Sequence, residues 1–212
     1  MKAVSECRLY TFIDTAYLRG REPDEIARQL CDGGSDIVQL RAKREAPEQI
    51  LRMAEKVLPI TRAARIPLVI NDCHDVAQTI GAEFVHLGQE DFFGTGVSHR
   101  SELAALGSGL RLGLSSHAPE QAQRAVAAGA DYIAVGPVFA TGTKPGRTPV
   151  TLDYVRWAKA NVTIPWFAIG GIILETLDDV LASGAKRICV VSAILNAPDV
   201  AAACREFKCR LD

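Results

Sequence analysis

The sequence lacks the patterns that identify several large protein classes. Its six cysteines are scattered and form no C-x-x-C pair, which argues against a disulfide framework or a zinc site and favours reduced thiols. No block of lysine and arginine stands out, and 24 basic against 25 acidic residues leave a net charge of −1. The start of the chain has no apolar signal core, and no segment approaches a membrane span. We therefore expect a cytoplasmic protein that binds neither nucleic acid nor membrane.

The sequence also lacks a P-loop, although one stretch has a related composition. Residues 136–146 contain three glycines, two prolines, two threonines and a lysine, without the G-x-x-x-x-G-K-[ST] spacing. Glycine N–H groups, hydroxyls and an ammonium can together hold an anion. Surface loops are ordinarily rich in the same residues. Composition alone therefore leaves both an anion-binding loop and an ordinary loop open.

Eight short apolar runs alternate with segments long enough for a helix. The runs are 9–13, 37–40, 67–70, 84–87, 111–114, 132–136, 166–169 and 188–191. Strands that alternate with helices indicate parallel pairing, because a parallel neighbour needs a crossover connection. Prolines at expected first helical positions support the intervening helices: Pro23, Pro47, Pro119 and Pro198. Pro59 lies inside one of these segments and predicts a kink or break there.

An internal repeat indicates how many strands the sheet has. A glycine, one or two polar residues and an apolar run recur at Gly34, Gly81, Gly129 and Gly184, before the second, fourth, sixth and eighth runs. Each glycine suits the position after a helix end. Four copies of a two-strand unit favour an eightfold barrel over an open doubly wound sheet. We predict a (β/α)8 barrel that occupies residues 1–212 as a single domain.

Polar residues gather where these strands should end, which is where (β/α)8 barrels carry their chemistry. Single residues such as Asp72 or Ser192 could be helix caps, and His86, inside an apolar run, is interpreted as a hydrogen-bonded core residue. Their convergence on one rim argues for a site. Two carboxylates suit Mg²⁺ together with substrate phosphates. A Gly-Gly turn after the seventh run and a loop after the eighth are typical of a phosphate site, so the rim predicts two anion sites.

Five motifs in this order resemble the thiamine phosphate synthase family. They are Gln39-Leu40-Arg41-Ala42-Lys43, Ile70-Asn71-Asp72, His86-Leu87-Gly88-Gln89-Glu90-Asp91, residues 136–145, and Ala168-Ile169-Gly170-Gly171-Ile172. Each motif is weak alone, and the ordered set is specific. The resemblance implies a (β/α)8 barrel that joins 4-amino-2-methyl-5-hydroxymethylpyrimidine diphosphate to 4-methyl-5-(2-hydroxyethyl)thiazole phosphate. Diphosphate is released with the help of Mg²⁺.

The resemblance also implies roles for individual residues. The pyrimidine diphosphate would be held by Gln39, Arg41, Lys43 and Asn71. Mg²⁺ would be held by Asp72 and Asp91, Ser115 would lie near the pyrimidine, and Lys144 would contact the departing diphosphate. The thiazole phosphate would be held by Thr141, Thr143, Gly171, Val191 and Ser192. Arg41, Lys43, Ser115 and Lys144 would be the catalytic residues.

Three other interpretations compete with this one. A thiazole tautomerase needs no diphosphate site, and its relatives tend to lose the motifs that hold Asn71, Asp72 and Asp91. A non-catalytic phosphate-binding barrel would not need two metal carboxylates beside Arg41 and Lys43. A phosphate-binding barrel isomerase needs a general acid and base, for which Asp14 is the one candidate left open. The residues present favour the synthase.

Overall fold

The strands close into a barrel. A computed structural model of the chain describes residues 1–103, 109–141 and 148–212. The strands are β1 (Leu9–Asp14), β2 (Ile37–Arg41), β3 (Leu68–Asn71), β4 (Phe84–Leu87), β5 (Arg111–Ser116), β6 (Tyr132–Val135), β7 (Trp166–Ile169) and β8 (Ile188–Val190). Each pairs in parallel with the next, and β8 pairs with β1. The predicted (β/α)8 barrel is confirmed.

Helices fill most of the connections. They are α1 (Pro23–Asp32), α2 (Pro47–Ala63), α3 (His74–Ile80), α4 (Gln89–Phe93), α5 (Pro119–Ala127), α6 (Thr151–Asn161), α7 (Leu174–Ala182), α8 (Ser192–Leu195) and α9 (Val200–Leu211). Among the described residues, no helix has both the length and the apolar character to cross a bilayer.

Proline marks three of the helix starts as predicted, at α1, α2 and α5. Pro198 instead precedes the cap of α9, where the Asp199 side chain accepts a hydrogen bond from the Ala202 N–H. Helix α2 runs unbroken through Pro59. Buried residues on both sides of the proline, Val57 and Thr61, hold the two halves against the barrel, and this packing prevents the break that the sequence suggested.

The four repeat glycines all lie in the left-handed region, which confirms why glycine recurs there. Their φ angles are 85° at Gly34, 68° at Gly81, 82° at Gly129 and 103° at Gly184. A residue with a Cβ is strained at such angles. Each glycine turns the chain out of a helix and into the next even-numbered strand.

The strands contribute side chains to two separate apolar layers. One lies between the barrel and its helices. The other fills the barrel interior and is rich in aromatic rings, with Tyr10, Phe12, Phe84, Tyr132 and Phe167 in mutual contact. This inner layer fills the barrel interior, and the open space lies at the carboxyl ends of the strands.

Candidate functional site

A single pocket spans the carboxyl ends of the strands. Its empty space, including the part open to solvent, is about 820 Å³. Eight predicted site residues line it: Gln39, Arg41, Asn71, Ser115, Thr141, Gly171, Val191 and Ser192. Lys43, Asp72 and Asp91 are described but are not among the lining residues. Thr143 and Lys144 lie outside the described residues.

Arg41 is held in place by a buried carboxylate. Its Nη1 lies 2.6 Å from Asp14 Oδ2, with the Arg41 side chain 12% exposed and that of Asp14 1% exposed. Asp14 also accepts a hydrogen bond from the Ala16 N–H. A guanidinium has five N–H donors, so one pair with Asp14 leaves others for an anion in the pocket. Asp14, which the sequence offered as a general base for a rival enzyme, is thus the counter-ion of Arg41.

Lys43 and Asp72 form a second ion pair at the same rim. The two side chains are 2.8 Å apart and are 45% and 28% exposed. Asp72 has a φ of 63°, a left-handed conformation that aspartate tolerates better than most residues. Its N–H donates to the His86 carbonyl, which fixes the turn at the end of β3. A predicted diphosphate ligand and a predicted metal ligand are therefore direct neighbours.

Asp72 and Asp91 are the candidate ligands of a magnesium ion. Asp72 and Asp91 follow the neighbouring strands β3 and β4. Asp91 Oδ2 accepts from the Gly88 N–H in the first turn of α4. Within the described ranges, no group of three or more His, Cys, Asp or Glu could hold a metal alone. Mg²⁺ commonly binds one or two carboxylates plus waters and substrate phosphates, which matches this donor set.

The opposite wall is built from two loops that pack on each other. After β7, Gly170 and Gly171 have φ angles of 102° and 65°. The Phe139 N–H from the loop after β6 donates to the Gly170 carbonyl. A Cβ on Gly171 would lie 2.6 Å from the Ala140 carbonyl oxygen, so only glycine allows this contact. The two loops thereby bring Thr141 to the same pocket as Ser192, the first residue of α8.

The pocket floor contains polar residues that the sequence analysis did not assign to the site. Tyr10, His86 and His117 line the pocket. His86 is hydrogen-bonded, as expected of a core residue, to Tyr132 and Ser115. Burial raises the pKa of Tyr10 and Tyr132 well above the ordinary value, so both hydroxyls stay neutral. For Tyr10 the sequence signal was its i, i+2 spacing from Phe12, which places both rings on one face of β1.

Comparison with known proteins identifies similar chains. The family model described as thiamine monophosphate synthase matches residues 9–194. A thiamine-phosphate synthase of Thermus thermophilus is 48% identical over 180 residues, which cover 84% of each chain. That of Acidothermus cellulolyticus is 41% identical over 214 residues, 100% of this chain and 98% of the relative. The structure of a thiamine phosphate pyrophosphorylase from Pyrococcus furiosus superposes with a TM-score of 0.86 at 28% identity, covering 99% of this chain and 98% of that one.

Proposed function

The chain belongs to the thiamine monophosphate synthase family, a family of transferases, and we propose how its pocket performs the reaction. Its substrates are small molecules. In this proposal they are the aminopyrimidine diphosphate and the thiazole phosphate that the sequence resemblance implies. The pyrimidine carbon is transferred from diphosphate to the thiazole nitrogen.

One observation supports this assignment best: a single pocket has an anion-binding feature at each end. Arg41 lies at the β2 end, and the Gly170-Gly171 turn with Ser192 lies at the β7–β8 end. Gln39 and Ser115 line the floor of the same pocket. Two phosphorylated substrates can therefore bind side by side, with the pyrimidine ring over the floor. An isomerase that acts on one phosphorylated compound needs only one of these ends.

At the β2 end the chain's task is to stabilise a departing diphosphate. The carbon–oxygen bond breaks with its electron pair going to the diphosphate, and the aminopyrimidine spreads the positive charge left on carbon. Arg41, Lys43 and Lys144 would neutralise the leaving group. Mg²⁺ bound by Asp72 and Asp91 would supply further neutralisation of the phosphate oxygens. Lys43 would leave its ion pair with Asp72 to bind the diphosphate. The Asp72 carboxylate would then be available to bind the metal.

At the other end the task is positioning. Thr141, Thr143, Gly171, Val191 and Ser192 would hold the phosphate of the thiazole substrate through hydroxyls and backbone N–H groups. The thiazole nitrogen then uses its lone pair to form the new bond to carbon. No nucleophilic side chain is required, since the attacking atom belongs to the second substrate. Holding the two reactants in register supplies the remaining acceleration.

Diphosphate release, measured with both substrates together and with each alone, tests this function. We expect rapid release only when both are present, with thiamine phosphate formed in equal amount. Omission of Mg²⁺ should abolish it. An absence of release with both substrates and Mg²⁺ present would contradict the synthase assignment and favour a tautomerase or a binding protein.

A further inference from the structure

A chain of four hydrogen bonds crosses the pocket floor and joins five strands. Gln39 Nε2 lies 2.5 Å from the Tyr10 hydroxyl, which lies 2.9 Å from the Tyr132 hydroxyl. His86 Nδ1 lies 3.0 Å from the Tyr132 hydroxyl, and His86 Nε2 lies 3.0 Å from Ser115 Oγ. None of these five residues is more than 8% exposed. The two ends, Gln39 and Ser115, line the pocket, whereas Tyr132 does not.

Starting from the Gln39 Nε2 donor, one direction of the hydrogen bonds lets every member of this chain donate once. Either hydroxyl of the Tyr10–Tyr132 pair can donate; in this direction Tyr10 accepts from the Gln39 amide N–H and donates to Tyr132. Tyr132 in turn donates to His86 Nδ1. A neutral imidazole with Nδ1 as acceptor carries its proton on Nε2, which donates to Ser115 Oγ. The groups left at the two ends are therefore the Gln39 carbonyl oxygen with its second amide N–H, and the Ser115 hydroxyl proton.

We propose that Tyr132 is a positioning residue that, through this chain, presents Gln39 as an acceptor and Ser115 as a donor to the pyrimidine ring. The inference rests on the proposed function. A 4-aminopyrimidine offers the matching pair, an amino N–H donor beside an unprotonated ring nitrogen. A 4-oxopyrimidine offers the reverse, a carbonyl oxygen beside a ring N–H. The hydrogen-bonded chain thus favours the amino form, because the ring N–H of the oxo form would meet the Ser115 hydroxyl proton, and turning that proton away leaves it without an acceptor.

Packing holds Tyr132 in this position. It pairs in register with Gly113 of β5, and a Cβ on Gly113 would lie 2.1 Å from Tyr132 Cζ. The edges of Phe84 and Phe167 surround its ring, each with a centroid 5.6 Å away. The tyrosine has no room to swing its hydroxyl away from His86 and Tyr10. The Tyr132 hydroxyl is therefore held between His86 and Tyr10, where it sets the direction of the hydrogen bonds across the barrel.

The test compares Tyr132→Phe with the wild-type protein. The ratio of kcat/KM for the 4-amino over the 4-oxo pyrimidine diphosphate should fall at least ~10-fold, because unpaired or reversed buried donors account for such discrimination. The matched control is Tyr154→Phe, another buried tyrosine, whose hydroxyl lies 2.8 Å from Ser116 Oγ and from the Ala118 carbonyl. That variant should keep the wild-type ratio. An unchanged ratio in Tyr132→Phe would overturn the proposal.

A second measurement does not depend on activity. ¹⁵N NMR of the histidine side chains should show wild-type His86 protonated on Nε2, and in Tyr132→Phe a mixture of tautomers. A wild-type His86 protonated on Nδ1 would overturn the proposal even if Tyr132→Phe fails to fold. Gly113→Ala, which displaces the ring but keeps the hydroxyl, should lower the ratio as Tyr132→Phe does. Absence of thiamine phosphate formation by the wild type would instead refute the proposed function. The NMR result would still test the chain of hydrogen bonds.

Discussion

Replacing Arg41 by lysine tests the diphosphate assignment most directly. The substitution keeps a positive charge beside Asp14, whose side chain is 1% exposed and 2.6 Å from Arg41. Arg41→Ala would remove that charge, and leaving a buried carboxylate unpaired costs about 3–5 kcal/mol of stability. Since a domain is typically stable by only about 5–15 kcal/mol, the alanine variant mixes folding with function. The lysine variant keeps the charge beside Asp14, so its effect on turnover can be separated from an effect on stability.

Arg41→Lys should lose turnover because the shape of the side chain changes while its charge does not. A guanidinium can bind Asp14 with one nitrogen and phosphate oxygens with others, whereas an ammonium is a point charge that cannot reproduce this fork. Loss of a donor that strengthens as the leaving group gains negative charge typically costs about 10²-fold in rate, which corresponds to about 2.7 kcal/mol of transition-state stabilisation. Arg41→Lys should therefore form thiamine phosphate about 10²-fold more slowly in a single turnover at saturating substrates.

A matched control exists at another Arg–Asp pair of the barrel. Arg100 Nη1 lies 2.5 Å from Asp131 Oδ2, with both side chains about a quarter exposed, and Asp131 also accepts from the Leu112 N–H near the start of β5. Arg100→Lys should change the unfolding midpoint without changing the single-turnover rate. A wild-type rate in folded Arg41→Lys, with Lys43→Ala equally unaffected, would refute the diphosphate assignment.

Three further predictions follow from the same structure. Asp72→Ala and Asp91→Ala should each abolish Mg²⁺-dependent turnover, while Asp75→Ala, whose side chain is 87% exposed, should not; full turnover of the wild type in excess EDTA would contradict a metal role. Ser192→Asp should weaken calorimetric binding of the thiazole phosphate by charge repulsion and spare that of the pyrimidine diphosphate, and equal loss for both ligands would mean that the two ends are one site. Burial alone would raise the pKa of Asp36, but hydrogen bonds from two lysines and two backbone N–H groups outweigh it and lower the pKa below the ordinary 3.8. The stability lost in Asp36→Asn should therefore be full at neutral pH and shrink as the pH falls through that lowered pKa; denaturant unfolding across this range would refute the reasoning if the difference stayed constant.

The sequence by itself determined the strands, their number and the loops that carry the candidate site. Short apolar runs and the glycines at residues 34, 81, 129 and 184 are local signals, because a helix end and the strand after it are built from adjacent residues. The order of the motifs likewise indicated the family. Polar residues at strand ends could be assigned to one rim because the carboxyl ends of parallel strands meet there.

Only the tertiary structure decided which of these residues face one another. Asp14 and Arg41, 27 positions apart, become an ion pair through the register of β1 and β2, and Tyr10 meets Tyr132 across 122 positions. The sequence could not show this, since β1 is buried at all six positions. A strand covered on both faces has no alternation of apolar and polar residues to distinguish the inner face from the outer. Closure of the barrel decides which face of the strand is the inner one. It therefore also decides which side chains reach the pocket floor.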